Sequence, residues 1–176
     1  YYNNERTSEK YFYKRIEEHT DIFKLMSSDI SLINDVMNIA DDIVSLFKNK
    51  GQVFLCGNGG SAADAQHIAT EFVSRFYKER RALNAEALTV NTSTLTAVGN
   101  DYSYERIFVR QLEAKAKSGD MLIGISTSGK SKNVIEALRY AKSQGIKTIM
   151  LMGDFVNDDL EYIADYIIKI PSQLIP

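Results

Sequence analysis

The chain has 176 residues, 44% of them hydrophobic and 25% charged, with a net charge of −2. That length and balance predict one globular domain with a substantial core, and the near-neutral charge without a dense Lys/Arg block excludes nucleic acid as a main partner. No apolar run reaches the length of a membrane span, no signal peptide is visible, and the single cysteine, Cys56, excludes an internal disulfide, so the expected setting is cytoplasmic with no membrane partner.

In chain order, residues from about 8 to 50 read as two helices. Apolar positions Tyr11, Ile16, Ile22, Phe23 and Leu25 mark the first; Ile30, Ile33, Val36, Met37, Ile39, Ala40, Ile43, Val44 and Phe47 mark the second. The second set is broader than one stripe and predicts packing on more than one neighbour. After Gly51 the pattern alternates: strand 52–56, helix 61–77, strand 86–90, helices near 92–98 and 103–116, strand 120–125, helix 131–143, strand 146–151, helix 157–163 and strand 165–170. Strand–helix alternation with near-continuous apolar strands predicts an α/β fold, a doubly wound five-stranded parallel sheet between helix layers in a three-layer αβα sandwich. The domain then comprises N-terminal helices over 1–50 and an α/β core over 51–170, within a single domain over 1–176.

Two small-residue loops follow apolar strands and precede helices: Gly57-Asn58-Gly59-Gly60-Ser61 and Ser126-Thr127-Ser128-Gly129-Lys130-Ser131. Glycines admit close approach of the backbone to an anion, and a helix N-terminus offers free N–H groups and a favourable dipole. Either loop alone is equally an ordinary turn. The second holds four hydroxyls in six residues, more than a turn requires, and the pair reads as a phosphate clamp at the carboxyl ends of the strands.

His67, Glu71 and Arg75 recur every four residues, which on the helix predicted over 61–77 stacks them in a line. Three readings stand: a solvated face with a Glu71–Arg75 pair, half of a metal site from His67 and Glu71, or Glu71 as a general base beside a sugar carbonyl. Asn100 and Asp101 after Gly99 read as an αL helix stop or as substrate-contacting groups. Cys56 reads as a small buried thiol, His19 as a surface residue, and Tyr102, Tyr104 and Phe108 as packing or oligomer contacts; Lys130 is not counted as a site residue.

The run Cys56 to His67, with Glu71 and Arg75 after it, Val98-Gly99-Asn100-Asp101, and Gly124 to Ser131 together resemble the sugar isomerase (SIS) domains, and most of all the phosphoheptose isomerases. The resemblance covers nearly the whole chain. It implies a flavodoxin-like SIS fold and an aldose–ketose isomerase that converts sedoheptulose 7-phosphate to D-glycero-D-manno-heptose 7-phosphate through an enediol, for bacterial surface polysaccharide such as lipopolysaccharide or capsule. By the same resemblance Asn58, Gly59, Gly60, Ser61, Asn100 and Asp101 contact substrate, Ser126, Thr127, Ser128 and Ser131 hold its phosphate, and Arg75 supports the reactive end. Glu71 is implied as the catalytic base and, with His67, as a zinc ligand. A homotetramer joined through the N-terminal helices, with sites at subunit interfaces, is also implied.

Family members carry a Gln and a His on a helix after the last strand, as metal ligands and, for the His, as partner acid–base. Here Gln173 lies ahead of that helix and does not match, so the sequence is expected to be a portion of a longer enzyme, missing two zinc ligands. The alternative is a non-catalytic SIS protein that binds a sugar phosphate or a protein partner, like the DnaA initiator-associating protein.

Overall fold

All five apolar runs form strands: β1 (Val53–Gly57), β2 (Ala85–Ala87), β3 (Met121–Ile125), β4 (Lys147–Gly153) and β5 (Tyr166–Ile170). They pair in parallel throughout, in the order β2-β1-β3-β4-β5. The structure is a computed structural model that describes residues 5–173, with side chains from residue 8; the outermost residues of the expected 1–176 domain lie outside it. Seven α-helices lie among the described residues: α1 (Glu5–Ser28), α2 (Ile30–Lys48), α3 (Gly60–Val73), α4 (Thr92–Asp101), α5 (Val109–Lys115), α6 (Lys132–Ser143) and α7 (Leu160–Ile163).

The two-residue period of the strands sorts the core into two layers. Phe54, Cys56, Leu122, Met150 and Met152 point to one face, where Val109 and Leu112 of α5, Val134, Ala137, Leu138 and Ala141 of α6, and Leu160 and Ile163 of α7 pack on them. Val53, Leu55, Met121, Ile123 and Ile149 point to the other, against Leu46 and Phe47 of α2 and Ala65 and Ala69 of α3. Strands covered on both faces by helices cannot alternate polar and apolar residues, which is why β1 and β3 read as continuous apolar runs. Close packing leaves no room for a side chain at Gly57 of β1 or Gly124 of β3. A Cβ on Gly124 would lie 2.7 Å from Val134 Cγ1, and one on Gly57 would lie 2.6 Å from the Ser61 carbonyl oxygen.

Four helices and one strand differ from their expected bounds: α7 begins at Leu160 instead of 157, β2 is confined to Ala85–Ala87 instead of 86–90, and the other three helices depart further. α3 stops at Val73 instead of continuing to 77. Its last-turn carbonyls are taken by tertiary donors: Arg80 donates to Glu71 O (2.6 Å) and Phe72 O (2.8 Å), and Leu83 N–H also donates to Phe72 O. α4 continues through Asp101, so Gly99, Asn100 and Asp101 are helical and the expected αL stop does not occur; Tyr102 ends the helix with its N–H on Val98 O. The helix expected over 103–116 is divided, because Ser103 is extended, into a 3₁₀ turn over Tyr104–Arg106 and the separate α5.

α2 is tied to the sheet by Asp42, whose carboxylate accepts from Lys147 Nζ (2.8 Å) and from the Tyr166 hydroxyl (3.0 Å). α1 meets the rest of the chain chiefly through α2. Both helices leave apolar side chains exposed, among them Tyr11, Phe12, Ile16 and Phe23 on α1 and Ile30, Ile33, Val36 and Met37 on α2. No helix of the described residues is long and apolar enough to cross a membrane.

Asp165, just before β5, accepts from Thr148 N–H (2.8 Å) and Thr148 Oγ1 (2.9 Å) and pairs with Lys142. Partial burial pushes its carboxyl up, but the Lys142 and Thr148 bonds outweigh that and hold it below the ordinary value. A carboxyl lowered on folding adds stability above its unfolded value, near 4, and loses that contribution as pH falls through its lower folded value. The melting-temperature difference between wild type and Asp165→Asn is therefore expected to be largest from pH 6 upward and to shrink below about pH 4, as scanning calorimetry across pH would show.

Candidate active site

The strand order reverses between β1 and β3, and both glycine–hydroxyl loops leave the sheet at that switch point. Open parallel sheets bind ligands at such crevices, outside the carboxyl ends of the strands. After β1 the chain turns at Gly59, whose φ of +55° favours glycine, and enters α3. After β3 it makes the hydroxyl loop and enters α6 with Ser131 as N-cap.

Neither helix is capped by a side chain. α2 and α4, away from the switch point, are conventionally capped by Asp29 on Leu32 N–H and by Asn91 on Thr94 N–H. Ser131 instead directs its hydroxyl to Ser126 Oγ, 2.9 Å away. Among the described residues neither N-cap side chain bonds the helix it precedes, and the one first-turn N–H that donates to a side chain is that of Val134, to Asn133 Oδ1; the other first-turn N–H groups of α3 and α6 receive no side-chain cap, the condition under which a helix terminus takes an anion.

The hydroxyl loop is fixed from beneath. Ser126 N–H donates to Leu151 O, Gly129 N–H to Ser126 O, and Gly153 N–H to Thr127 O, while Asn157 Nδ2 donates to Gly129 O at 2.7 Å. Gly129 has φ +66°, and a Cβ there would also lie 2.5 Å from Met152 Cε. Ser126 is buried, Ser128 and Ser131 are half-buried, and Thr127 is exposed. Ser61 of the first loop and Thr127 of the second line one cavity of about 230 Å³, which Asp64, Gly153 and Ser172 also border.

The link between the loops is a pair of amides. Asn58 Nδ2 donates to Asn133 Oδ1 (2.9 Å) and Asn133 Nδ2 donates back to Asn58 Oδ1 (2.8 Å). Asn58 Oδ1 also accepts from the Tyr104 hydroxyl (3.0 Å). Tyr104, expected as a packing or oligomer contact, thus reaches a site residue; Phe108 is buried in the core, and Tyr102 is exposed with the Arg110 guanidinium 5.0 Å from its ring centroid. Asn100 and Asp101 are exposed at the end of α4, with Asn100 Nδ2 on Asp101 Oδ1 at 2.9 Å.

This chain matches the SIS domain family over residues 20–153. It is 45% identical to a phosphoheptose isomerase of Aneurinibacillus thermoaerophilus over 94% of this chain and 83% of that protein, and 51% identical to one of Clostridium acetobutylicum over 84% and 75%. The chain belongs to the SIS-domain phosphoheptose isomerase family. The fold agrees: a phosphoheptose isomerase structure from Francisella tularensis superposes with a TM-score of 0.88 at 32% identity, over 96% of this chain and 88% of that one. A second, from Neisseria gonorrhoeae, gives 0.79 at 34%, over 94% and 85%. The chain is accordingly a sugar-phosphate isomerase.

In this isomerase His67 and Glu71 do face one another on α3, with Nε2 and Oε1 3.9 Å apart, but Arg75 does not extend the line. It lies beyond the end of α3 and pairs with Glu79 at 3.6 Å on the exposed surface. His67 and Glu71 border a groove of about 540 Å³ with Phe72, Phe76 and Arg80, separate from the cavity of Ser61 and Thr127. Ten residues of helix divide Ser61 from Glu71, about 15 Å along the axis. As zinc donors, His67 and Glu71 fill two of four positions, and sharing one ion would draw their atoms to roughly 3.3 Å. Among the described residues no group of three His, Cys, Asp or Glu side chains is placed to hold a metal. The residues present therefore fit a zinc ion only as part of a donor set.

Asn133 and Arg80 are absent from the sequence reading. Asn133 had a signal: it shares the α6 stripe of Ala137 and Ala141, where an amide is out of place unless it is bonded. Arg80, which holds the end of α3 nine residues back at Glu71, had none. His19 is exposed and caps nothing beyond its own helix, bonding Arg15 O. Cys56 is fully buried, and burial pushes its thiol up to about 12. The native protein at pH 8 should be inert to a disulfide reagent over hours, and one thiol per chain should react promptly once the protein is unfolded in guanidinium.

Proposed function

We propose that this isomerase interconverts sedoheptulose 7-phosphate and D-glycero-D-manno-heptose 7-phosphate and so supplies heptose for bacterial surface polysaccharide. The observation that carries the reading is the convergence of two helix N-termini whose N-cap residues make no side-chain cap and the Ser126–Ser131 hydroxyl pair at one switch point. Such a cradle suits the phosphate of a small sugar. The relatives named phosphoheptose isomerase support the seven-carbon substrate.

In this reading Ser126, Thr127, Ser128 and Ser131 bind the phosphate, and Asn58, Gly59, Gly60, Ser61, Asn100 and Asp101 contact the sugar. Glu71 takes the proton from C1 of the ketose, the C1–H electron pair forms the C1=C2 bond of the enediol, and the C2 carbonyl oxygen gains a proton. The same carboxyl returns its proton to C2 as the O1 hydroxyl loses one and C1 becomes the aldehyde. The O1-to-O2 proton movement takes a second acid–base group, which the family resemblance places on a helix after the last strand. Zinc, held by His67 and Glu71 with further donors, would polarise the carbonyl oxygen when bound.

Glu71 and the hydroxyl loop open onto different cavities of one chain, which favours sites assembled between copies. The exposed apolar faces of α1 and α2 suit the contacts of a homotetramer, with the helices of 1–50 joining copies and 51–170 forming the catalytic core.

Three results test this reading, using NMR detection of the aldose in D₂O. Glu71→Gln should lower kcat by roughly 10²–10⁴-fold with phosphate binding retained, and a near wild-type rate would remove Glu71 from the base role. Ser128→Ala should weaken sugar-phosphate binding about 10-fold or more, as befits loss of a hydrogen bond to a charged group. When the two variants are mixed and allowed to exchange subunits, shared sites predict recovered activity, whereas sites contained in single chains predict none.

A further inference from the structure

The amide pair at the switch point does more than join two loops. An asparagine side chain has four hydrogen-bonding positions, two N–H groups and two carbonyl lone pairs. At Asn58 three are committed within the described residues: both lone pairs of Oδ1, to Asn133 Nδ2 and the Tyr104 hydroxyl, and one N–H, to Asn133 Oδ1. One Nδ2–H is left over. Its direction is fixed, because the orientation of the whole pair is fixed by the backbone. Val134 N–H donates to Asn133 Oδ1 at 3.0 Å, and a backbone N–H has no use for an amide nitrogen in that place. Asn133 must therefore present oxygen to Val134 and nitrogen to Asn58, and Asn58 can answer only with its oxygen toward that nitrogen.

Asn133 is 2% exposed, in the first turn of the helix that follows the hydroxyl loop, and so has no path to bulk solvent of its own. Asn58 is half-buried at the mouth of β1. We propose that Asn133 is a positioning residue for substrate binding: it locks the Asn58 amide so that its single uncommitted N–H is presented to an oxygen of the sugar phosphate, and it sets the spacing between the two loops. This rests on the reading that Asn58 contacts substrate. A free asparagine samples several rotamers and both amide faces, and that freedom would be lost on binding; the clasp removes it beforehand.

The test is a double-mutant cycle read by calorimetric titration with sedoheptulose 7-phosphate, using wild type, Asn58→Ala, Asn133→Leu and the double variant, with Ser128→Ala alongside. If Asn133 acts through Asn58, each single variant weakens binding about 10-fold and the double variant is no weaker than the worse single one. Losses that multiply, to about 100-fold, overturn the inference, as does wild-type affinity in Asn133→Leu. Wild-type affinity in Asn58→Ala, with binding still weakened in Ser128→Ala, overturns the Asn58 contact and this inference with it while leaving the phosphate loop in place. Loss of no affinity in Ser128→Ala strikes the proposed function itself.

Asn133→Asp keeps the shape and guards against a leucine variant that fails to fold. Ionised, the new carboxylate accepts from Asn58 Nδ2 and Val134 N–H but cannot donate to Asn58 Oδ1; protonated, it donates again. At pH 8, where it is ionised, this variant should bind sedoheptulose 7-phosphate about 10-fold more weakly than wild type, and adding Asn58→Ala to it should cost nothing more. Wild-type affinity in Asn133→Asp, or a further 10-fold loss on adding Asn58→Ala, overturns the proposal.

Discussion

β1 and β3 lie side by side in parallel, Val53 opposite Met121 through Gly57 opposite Ile125, and both are buried on both faces by helices. Parallel strands deliver their ends to the same edge, so the loops that follow them emerge together and turn into helices on opposite faces of the sheet. Small residues tighten that divergence. Gly57 lies where a Cβ would strike the Ser61 backbone, and Gly124 where it would strike Val134, so the first turns of α3 and α6 press directly on the strands that precede them. The spacing of the anion cradle is thus set by packing beneath it. Hydrogen bonds from Gly153 N–H and Asn157 Nδ2 to the hydroxyl loop, and from Ser126 N–H to the Leu151 carbonyl, add to the constraint.

Features governed by burial were legible in the sequence. The five strands and their parallel pairing follow from apolar runs separated by helical patterns, and the two loops stood out because glycine and hydroxyl residues interrupt that rhythm at corresponding places. Features governed by tertiary donors were not. Nothing near Val73 says that α3 ends there, because the groups that take its last carbonyls, Arg80 and Leu83, arrive from the following loop. The same event moves Arg75 off the helix and dissolves the His67–Glu71–Arg75 line that a four-residue spacing predicts. Gly99 misleads in the opposite direction. A glycine before Asn-Asp reads as a stop, yet it sits within α4, with only Ile107 near where its Cβ would be.

α3 is the element on which the proposed chemistry converges. Its N-terminus faces the switch point and its last full turn carries Glu71, so one rigid rod holds a ligand-facing end and a carboxylate about 15 Å apart. Arg80 grips the far end by the Glu71 carbonyl itself, and Gly57 abuts the near end. The helix is therefore pinned at both extremities, and the backbone under Glu71 is held by a side chain from the loop that follows the helix.

The missing side-chain caps on α3 and α6 carry an evolutionary consequence. A serine, aspartate or asparagine whose side chain closed either helix would stabilise it by about 1 kcal/mol, and α2 and α4 show that this chain uses that device freely elsewhere. At Ser131 that gain is forgone because the hydroxyl is turned to Ser126, while at Gly59 the φ of +55° keeps a capping side chain out. Thermostability selected without regard to activity would be expected to drift toward closing the end of α6 first, and the sequences it produced would be sturdier proteins with a closed cradle.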